Sequence, residues 1–276
     1  MSRTLLAYVR LPHFVPIAAV LGATAGLAFV IAGDDLTAGE LVRLLLAMLG
    51  GQVVVGVVNE LADAPLDALT KPEKPIPAGL VSKQGATGLG LAGLALMATA
   101  GGLLGWRSLG LLLAGTGLGV AYSLWFKRTR FAWLPYLLAL PLLPVWVAVT
   151  FEQFEPELLA LYPLGALGVL AVQLAQSVPD IEADRAAGIR SLTTRLGEWL
   201  SLWACWGLLG GSALLALAAG EVAGSVSGWL WLGAMSAPGL VVLNMLVYWQ
   251  SSRRGVLAAF PLTTLAIGLL ALAWVA

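Results

Sequence analysis

Two residue types that most often carry chemistry are nearly missing from this chain. It has one cysteine, Cys205, and one histidine, His13. A lone thiol inside an apolar run excludes a disulfide framework and any cysteine-based metal centre. A lone imidazole removes His-rich metal sites and most histidine acid–base chemistry. Charge is scarce too: Asp, Glu, Lys and Arg make up 11% of the 276 residues, where a soluble domain carries about 25%. Fifteen basic and fifteen acidic residues cancel, so the whole-chain balance gives no reason to expect nucleic acid or an acidic partner. Hydrophobic residues make up 59% of the chain, with a mean hydropathy of +0.91. Such a composition belongs in a lipid bilayer. The apolar stretch after Arg3–Arg10 has full spanning length, so no cleavable signal peptide is expected.

Runs of about 20 apolar residues mark membrane-crossing helices. They predict an all-α, polytopic membrane protein with nine spans, at about 12–32, 41–62, 85–105, 108–126, 131–151, 158–179, 199–219, 228–250 and 256–275. Gly50, Gly51 and Gly56 in the second span, and Gly88, Gly90 and Gly93 in the third, suit close helix packing in lipid. Trp133, Trp146, Trp199, Trp229 and Trp249 fall near span ends, where aromatic belts lie. Nine spans put the N-terminus and alternate loops on one side. That side takes Arg3, Arg10, Lys71, Lys74, Lys83, Lys127, Arg128, Arg130, Arg185, Arg190, Arg195, Arg253 and Arg254, thirteen of the fifteen basic residues. Only Arg43 and Arg107 fall opposite. The positive-inside rule then places the N-terminus in the cytoplasm and the C-terminus outside, in a plasma or inner membrane.

The stretch from Asn59 to Gly79, NELADAPLDALTKPEKPIPAG, concentrates the polar chemistry. Asn59, Asp63 and Asp67 are four apart, so on a helix they lie roughly above one another. Two carboxylates one turn apart repel unless a cation lies between them. Mg²⁺ suits that place, since it takes one or two carboxylates plus substrate phosphates. Lys71 and Lys74 follow and could meet phosphate oxygens. The plainer account is a solvated helix end in which Asp63 and Asp67 pair with Lys71 and Lys74.

A second copy of the pattern favours the metal. Gln176, Asp180 and Asp184 repeat the amide and two carboxylates of Asn59, Asp63 and Asp67 at a constant offset of 117 positions. Tyr122 with Lys127 and Arg128 is matched by Tyr248 with Arg253 and Arg254 at an offset of 126. The simplest account is one domain, 1–276, built from two four-helix pseudo-repeats of about 1–130 and 131–255, with the ninth span extra. Each half would present an acidic cluster to a common cytoplasmic-side cavity. Acids at a membrane helix are costly and usually functional. Gln52, Gln173 and Asn244 read as hydrogen-bonding glue between helices, whereas Asn59 and Gln176 lean toward ligand or metal. His13 reads as structural or interfacial, with lining of the pocket as the lesser alternative, and Arg10 as either a headgroup anchor or a phosphate ligand.

Ionisation of an isoprenoid diphosphate needs such an arrangement. Metal and fixed cations would stabilise the charge growing on departing pyrophosphate, and an apolar interior would keep water from the allylic cation. The chain has no strong nucleophile of its own, so a second substrate would trap the cation.

At these residues the chain resembles the UbiA superfamily of intramembrane prenyltransferases over nearly its whole length. The family's first motif, N-D-x-x-D-x-x-x-D before a basic Pro-rich turn, is matched by Asn59, Asp63, Asp67 and Lys74-Pro75-Ile76-Pro77-Ala78-Gly79. Its second, D-x-E-x-D-x-x-x-G-x-x-[ST]-L, is matched by Asp180, Glu182, Asp184, Gly188, Ser191 and Leu192. The resemblance implies that Asn59, Asp63, Asp67, Asp180 and Asp184 hold Mg²⁺. It implies that Lys71, Lys74, Lys127, Arg10, Arg128 and Tyr122 serve the diphosphate. The reaction implied is transfer of a polyprenyl group to a small, aromatic-type acceptor. Two departures stand out: Glu60 replaces the usual Asp and is expected to point away from the metal face, and Ser177 replaces an acid or amide of several branches. The run VPDIEADRAAGIRSLTTRLG looks nearest the homogentisate and chlorophyll-synthase branches. A terpene cyclase on the same scaffold is the alternative reading, and a non-enzymatic transporter is disfavoured by acids gathered on one membrane face.

Overall fold

The computed structural model describes residues 3–129, 131–189 and 191–275. Arg130 and Arg190, assigned above to basic loops, lie outside the described residues. Helices account for the secondary structure, with no strand among the described residues. They are α1 (Arg3–Arg10), α2 (Phe14–Ala32), α3 (Ala38–Thr70), α4 (Lys83–Gly102), α5 (Trp106–Ala121), α6 (Trp133–Ala139), α7 (Leu142–Thr150), α8 (Leu161–Ser177), α9 (Ile181–Ala186), α10 (Leu192–Ala223), α11 (Gly228–Gln250) and α12 (Ser252–Val275). Among the described residues, nine helical segments are long and apolar enough to cross a bilayer.

The ends of these segments carry what hydropathy missed. Helix α3 runs 33 residues and stops at Thr70, not near residue 62. At about 1.5 Å per residue it is roughly 50 Å long, against about 30 Å of hydrocarbon. Hydropathy marks only the lipid-buried part, while the polar last turns stay helical because they are paired. Before the seventh span a short helical stretch starts at Leu192 behind the cap Ser191, whose hydroxyl accepts from Thr194 N at 3.2 Å, and a break at Gly197 (φ 80°) separates it from the rest of α10. The fifth span is interrupted between α6 and α7 at Leu140–Pro141, where Pro141 supplies no N–H although Leu140 itself keeps helical dihedrals (φ −68°, ψ −46°). Thr37 closes the start of α3 with a capping box, its side chain taking Glu40 N while Glu40 takes Thr37 N.

The chain divides into two compact units: α1 to α5 with α7, and α6 with α8 to α12. In the first, α3 is in contact with α2, α4 and α5. Gly50 and Gly93 let α3 and α4 touch backbone to backbone: a Cβ on Gly50 would stand 2.5 Å from Met97 N and 2.6 Å from Gly93 O. Helix α1, with Leu11 just beyond its end, lays Ala7 and Leu11 against Val57, Val81 and Ala86, with Tyr8 and Ile76 at the margin. It thereby braces the loop between α3 and α4. In the second unit, Leu174, Leu202, Trp206, Ala234 and Ala266 belong to the core. Asn244 bridges helices as expected, accepting from Trp206 Nε1 at 2.9 Å and donating to Gly255 O at 2.9 Å. Gln52 and Gln173 do not. They reach Met48 Sδ and Ser177 Oγ on their own helices.

Candidate active site

Helix α3 brings Asn59, Glu60, Asp63 and Asp67 to its last turns, and two ammonium groups meet them. Lys127 Nζ donates to Asp63 Oδ2 and to Asn59 Oδ1, the latter at 3.2 Å. Lys74 Nζ donates to Glu60 Oε1 at 2.7 Å and to Asp67 Oδ2 at 2.9 Å. Each ammonium therefore bridges two side-chain acceptors on one helix. Glu60, Asp63 and Asp67 are all buried, so these are not solvated surface pairs. One part of the plainer sequence account does hold, since Asp67 pairs with Lys74.

Glu60 corrects the sequence reading. It is 2% exposed and shares Lys74 with Asp67. The reason is helical phase: at about 100° per residue, a seven-residue step returns within roughly 20° of its start. Glu60 and Asp67 thus share a direction more closely than Asn59 and Asp67 do. His13, read as structural, also reaches this cluster, with Nε2 2.9 Å from Glu60 Oε1. The approach is an ion-pair distance without an aligned hydrogen bond. His13 holds a left-handed backbone (φ 61°) where α1 turns into α2, a strained conformation for a side chain with Cβ. No spacing rule in the sequence links positions 13 and 60.

Lys127 reaches its partners through an irregular turn. Residues Tyr122–Phe126 form a π-helix, closed by Lys127 N donating to Tyr122 O at 2.8 Å. Such wide turns gather at functional sites. Tyr122 is buried within it. Its proposed counterpart Tyr248 sits in ordinary helix and donates to Glu198 Oε1 at 2.9 Å, so the second half of the tyrosine–basic pattern has a different setting. Lys71 caps α3, its N–H on Asp67 O at 2.8 Å. Arg10 is exposed at the end of α1, and Arg128 is exposed one residue past Lys127. Burial works against the charge on Lys74, but its hydrogen bonds to Glu60 and Asp67 win and hold its pKa above the ordinary range. It is therefore a cation at any physiological pH.

The second cluster repeats the spacing of the first on a different backbone. Helix α8 stops at Ser177, a 3-10 turn carries Val178–Asp180, and α9 carries Asp184. Asp180 and Asp184 are half-buried and Glu182 is exposed. Pro179 interrupts what in α3 is continuous helix. Gly188 (φ 71°) turns the chain, and Arg185 Nε and Nη2 fix the loop by donating to Thr194 O at 3.3 and 3.0 Å. Gln176 Oε1 is buried with no hydrogen-bond partner, an acceptor suited to a ligand.

Oxygen donors dominate both clusters, which suits a hard divalent cation. Among the described residues no three His, Cys, Asp or Glu side chains group closely enough to hold an ion alone. A site of one or two carboxylates completed by substrate phosphates does not require three, so the donors present fit Mg²⁺ bound together with a diphosphate.

Residues 19–266 match the model of the UbiA prenyltransferase family. The chain belongs to that family. Its relatives include two digeranylgeranylglyceryl phosphate synthases. That of Natronomonas pharaonis is 30% identical over 155 residues, 55% of each chain, and that of Methanoregula boonei 28% identical over 246 residues, 85% of this chain and 81% of its own. Homogentisate phytyltransferase 1 of Arabidopsis thaliana is 28% identical over 74% of this chain, which spans about half of that protein. Among solved structures, a UbiA homologue from Aeropyrum pernix K1 superposes with a TM-score of 0.73 at 22% identity, over 95% of this chain and 96% of that one. A UbiA homologue from Archaeoglobus fulgidus, bound to GPP and Mg²⁺, superposes with a TM-score of 0.71 at 17% identity, covering 95% and 97%. At such identities these two show that the UbiA fold is shared.

Proposed function

We infer that this UbiA-family protein moves a prenyl group from its diphosphate onto a small acceptor inside the membrane. The observation that carries the reading is the pair of bridging ammonium groups. Lys127 and Lys74 each spend two N–H donors on acceptors of α3, and a lysine ammonium has three. Among the described residues each keeps one donor, which in this reading meets a phosphate oxygen. Lys71, Arg10, Arg128 and Tyr122 complete the diphosphate set in this reading.

Asn59, Asp63, Asp67, Asp180 and Asp184 would hold Mg²⁺, which when bound supplies electrostatic stabilisation to the leaving pyrophosphate. A homologue of the same fold bound to GPP and Mg²⁺ supports a divalent metal in this reading. The C–O bond to the diphosphate breaks and pyrophosphate leaves with the electron pair. The acceptor's nucleophilic atom then forms the new bond to the allylic carbon and gives up its proton. Lys74 and Lys127 offset charge on the leaving oxygens as it grows. The apolar helices keep water away from the cation.

The relatives broaden the acceptor class. Their names couple prenyl groups to homogentisate and to a glyceryl phosphate, so an aromatic ring and a glycerophosphate hydroxyl are both candidates. Thirteen basic residues on one set of loops support an N-terminus and active-site opening on the cytoplasmic side.

The test is purified protein in detergent with Mg²⁺ and geranyl or geranylgeranyl diphosphate, offered homogentisate, hydroxybenzoate and geranylgeranylglyceryl phosphate in turn. Mass spectrometry should find one acceptor heavier by one prenyl unit, with pyrophosphate released. A cyclised hydrocarbon formed without acceptor, or no consumption of either donor, would overturn the reading.

A further inference from the structure

Lys74 stands in the loop between α3 and α4, where a long flexible side chain gains position only from what grips it. Two contacts do so, and only one belongs to the acidic motif proper. Asp67 takes one N–H at 2.9 Å, and Glu60 takes another at 2.7 Å from the opposite direction along the helix. Two fixed hydrogen bonds on a tetrahedral ammonium leave the third N–H one direction to point. Glu60 is itself held: it is buried to 2% exposure, and His13 Nε2 lies 2.9 Å from the same Oε1 that meets Lys74. His13 is carried there by a left-handed turn (φ 61°) between α1 and α2, and Gly56, one turn before Glu60, admits the neighbouring Pro12 against bare backbone, with Pro12 O 2.6 Å from where a Cβ would stand. Helix α1 is packed through Ala7 and Leu11 onto Val57 and Val81, the latter in the same loop as Lys74.

We propose that Glu60, steadied by His13, is a positioning residue that aims Lys74 at the diphosphate. It touches neither the reacting carbon nor the phosphate; it acts through Lys74. The proposal rests on the reading that Lys74 meets a prenyl diphosphate. A Glu60 that served only the stability of α3 would act without regard to Lys74, and this difference separates the two roles.

The experiment is a double-mutant cycle on the full chain in detergent. Binding of geranyl diphosphate and of inorganic pyrophosphate is measured by calorimetry, and kcat and KM by transfer, for wild type, Glu60→Gln, Glu60→Asp, Lys74→Ala and Glu60→Gln with Lys74→Ala. Lys74→Ala should weaken diphosphate binding about tenfold, the scale of one charge-assisted hydrogen bond. Glu60→Gln should weaken it about fivefold with kcat within about twofold, and should add nothing once Lys74 is alanine. Glu60→Asp keeps the charge and should recover most of the affinity. Should Glu60→Gln fail to give a monodisperse protein, His13→Gln loosens the same carboxylate from its other side. It should cost about two- to threefold in binding, again only when Lys74 is present. Equal factors in both Lys74 backgrounds would overturn the positioning role while leaving the functional reading intact. A wild type that binds and transfers nothing would overturn both.

Discussion

Lys127 is paired with Asp63 across 64 positions of sequence, and the same ammonium reaches Asn59 Oδ1 at 3.2 Å. The contact joins the end of the fourth span to the end of the second. Lys127→Met should lower kcat/KM by at least tenfold and leave a buried acceptor short of a donor, at a cost of about 1–3 kcal/mol. Lys127→Arg should restore charge and stability better than rate, because a planar fork does not replace a point charge. Steady-state kinetics with a thermal unfolding scan checks this, and wild-type kinetics in the Met variant would remove Lys127 from the site.

Asp63→Asn, Asp67→Asn, Asp180→Asn and Asp184→Asn should each lower kcat by about 10² or more, the scale lost with one electrostatic contact in a transition state. The protein should still fold and insert. Excess chelator should abolish turnover, and millimolar Mg²⁺ should restore it. If both clusters serve one diphosphate, as proposed, pairing Asp63→Asn with Asp180→Asn should cost much less than the product of the singles. Losses that multiply would assign the two clusters to different ligands.

Gly50 offers a test of packing away from the chemistry. A methyl there would stand 2.5 Å from Met97 N and 2.6 Å from Gly93 O, both backbone atoms that yield little. Gly50→Ala should destabilise by about 1–3 kcal/mol through overpacking. Gly22→Ala in α2, with no atom within 4 Å of the new carbon, should be neutral or stabilising by up to about 1 kcal/mol. Denaturation midpoints of the two variants in one detergent decide the matter.

Most of the scaffold was legible because lipid enforces it. Apolar runs of about 20 residues translate directly into spanning helices, and all nine spans recur in the structure. Spacing of four likewise brought Asn59 and Asp63 to one ammonium. The misses share one cause, a departure from uniform helical geometry or from contacts local in sequence. Four-residue spacing links Asn59, Asp63 and Asp67 but leaves Glu60 out, whereas the seven-residue step from Glu60 to Asp67 puts both on Lys74. His13 meets Glu60 through a left-handed turn and the docking of α1, neither of which leaves a periodic trace. Asp180 sits on a 3-10 turn where Asp63 sits on α-helix, so an identical interval of residues does not carry an identical face.

Membrane orientation is open to direct labelling. Thirteen of fifteen basic residues fall on one set of loops, which predicts a cytoplasmic N-terminus. In intact cells, a cysteine placed at the C-terminus should react with an impermeant maleimide, and one placed at the N-terminus should react only after permeabilisation. Cys205 is buried and should contribute no background. The opposite labelling would move both acidic clusters to the far face.

The wide turn over Tyr122–Phe126 makes the placement of Lys127 a matter of phase. Closing onto Tyr122 O instead of the carbonyl one residue later takes up one extra residue in that turn. Each residue of helix is worth about 100° of rotation. Keeping all five residues but winding them as ordinary α-helix would therefore swing the ammonium roughly a quarter of the way around the helix, off Asn59 and Asp63. A single-residue deletion inside 123–126 that closes an ordinary α-turn on Tyr122 O would instead leave Lys127 in phase, so the wide turn is one inserted residue taken up locally.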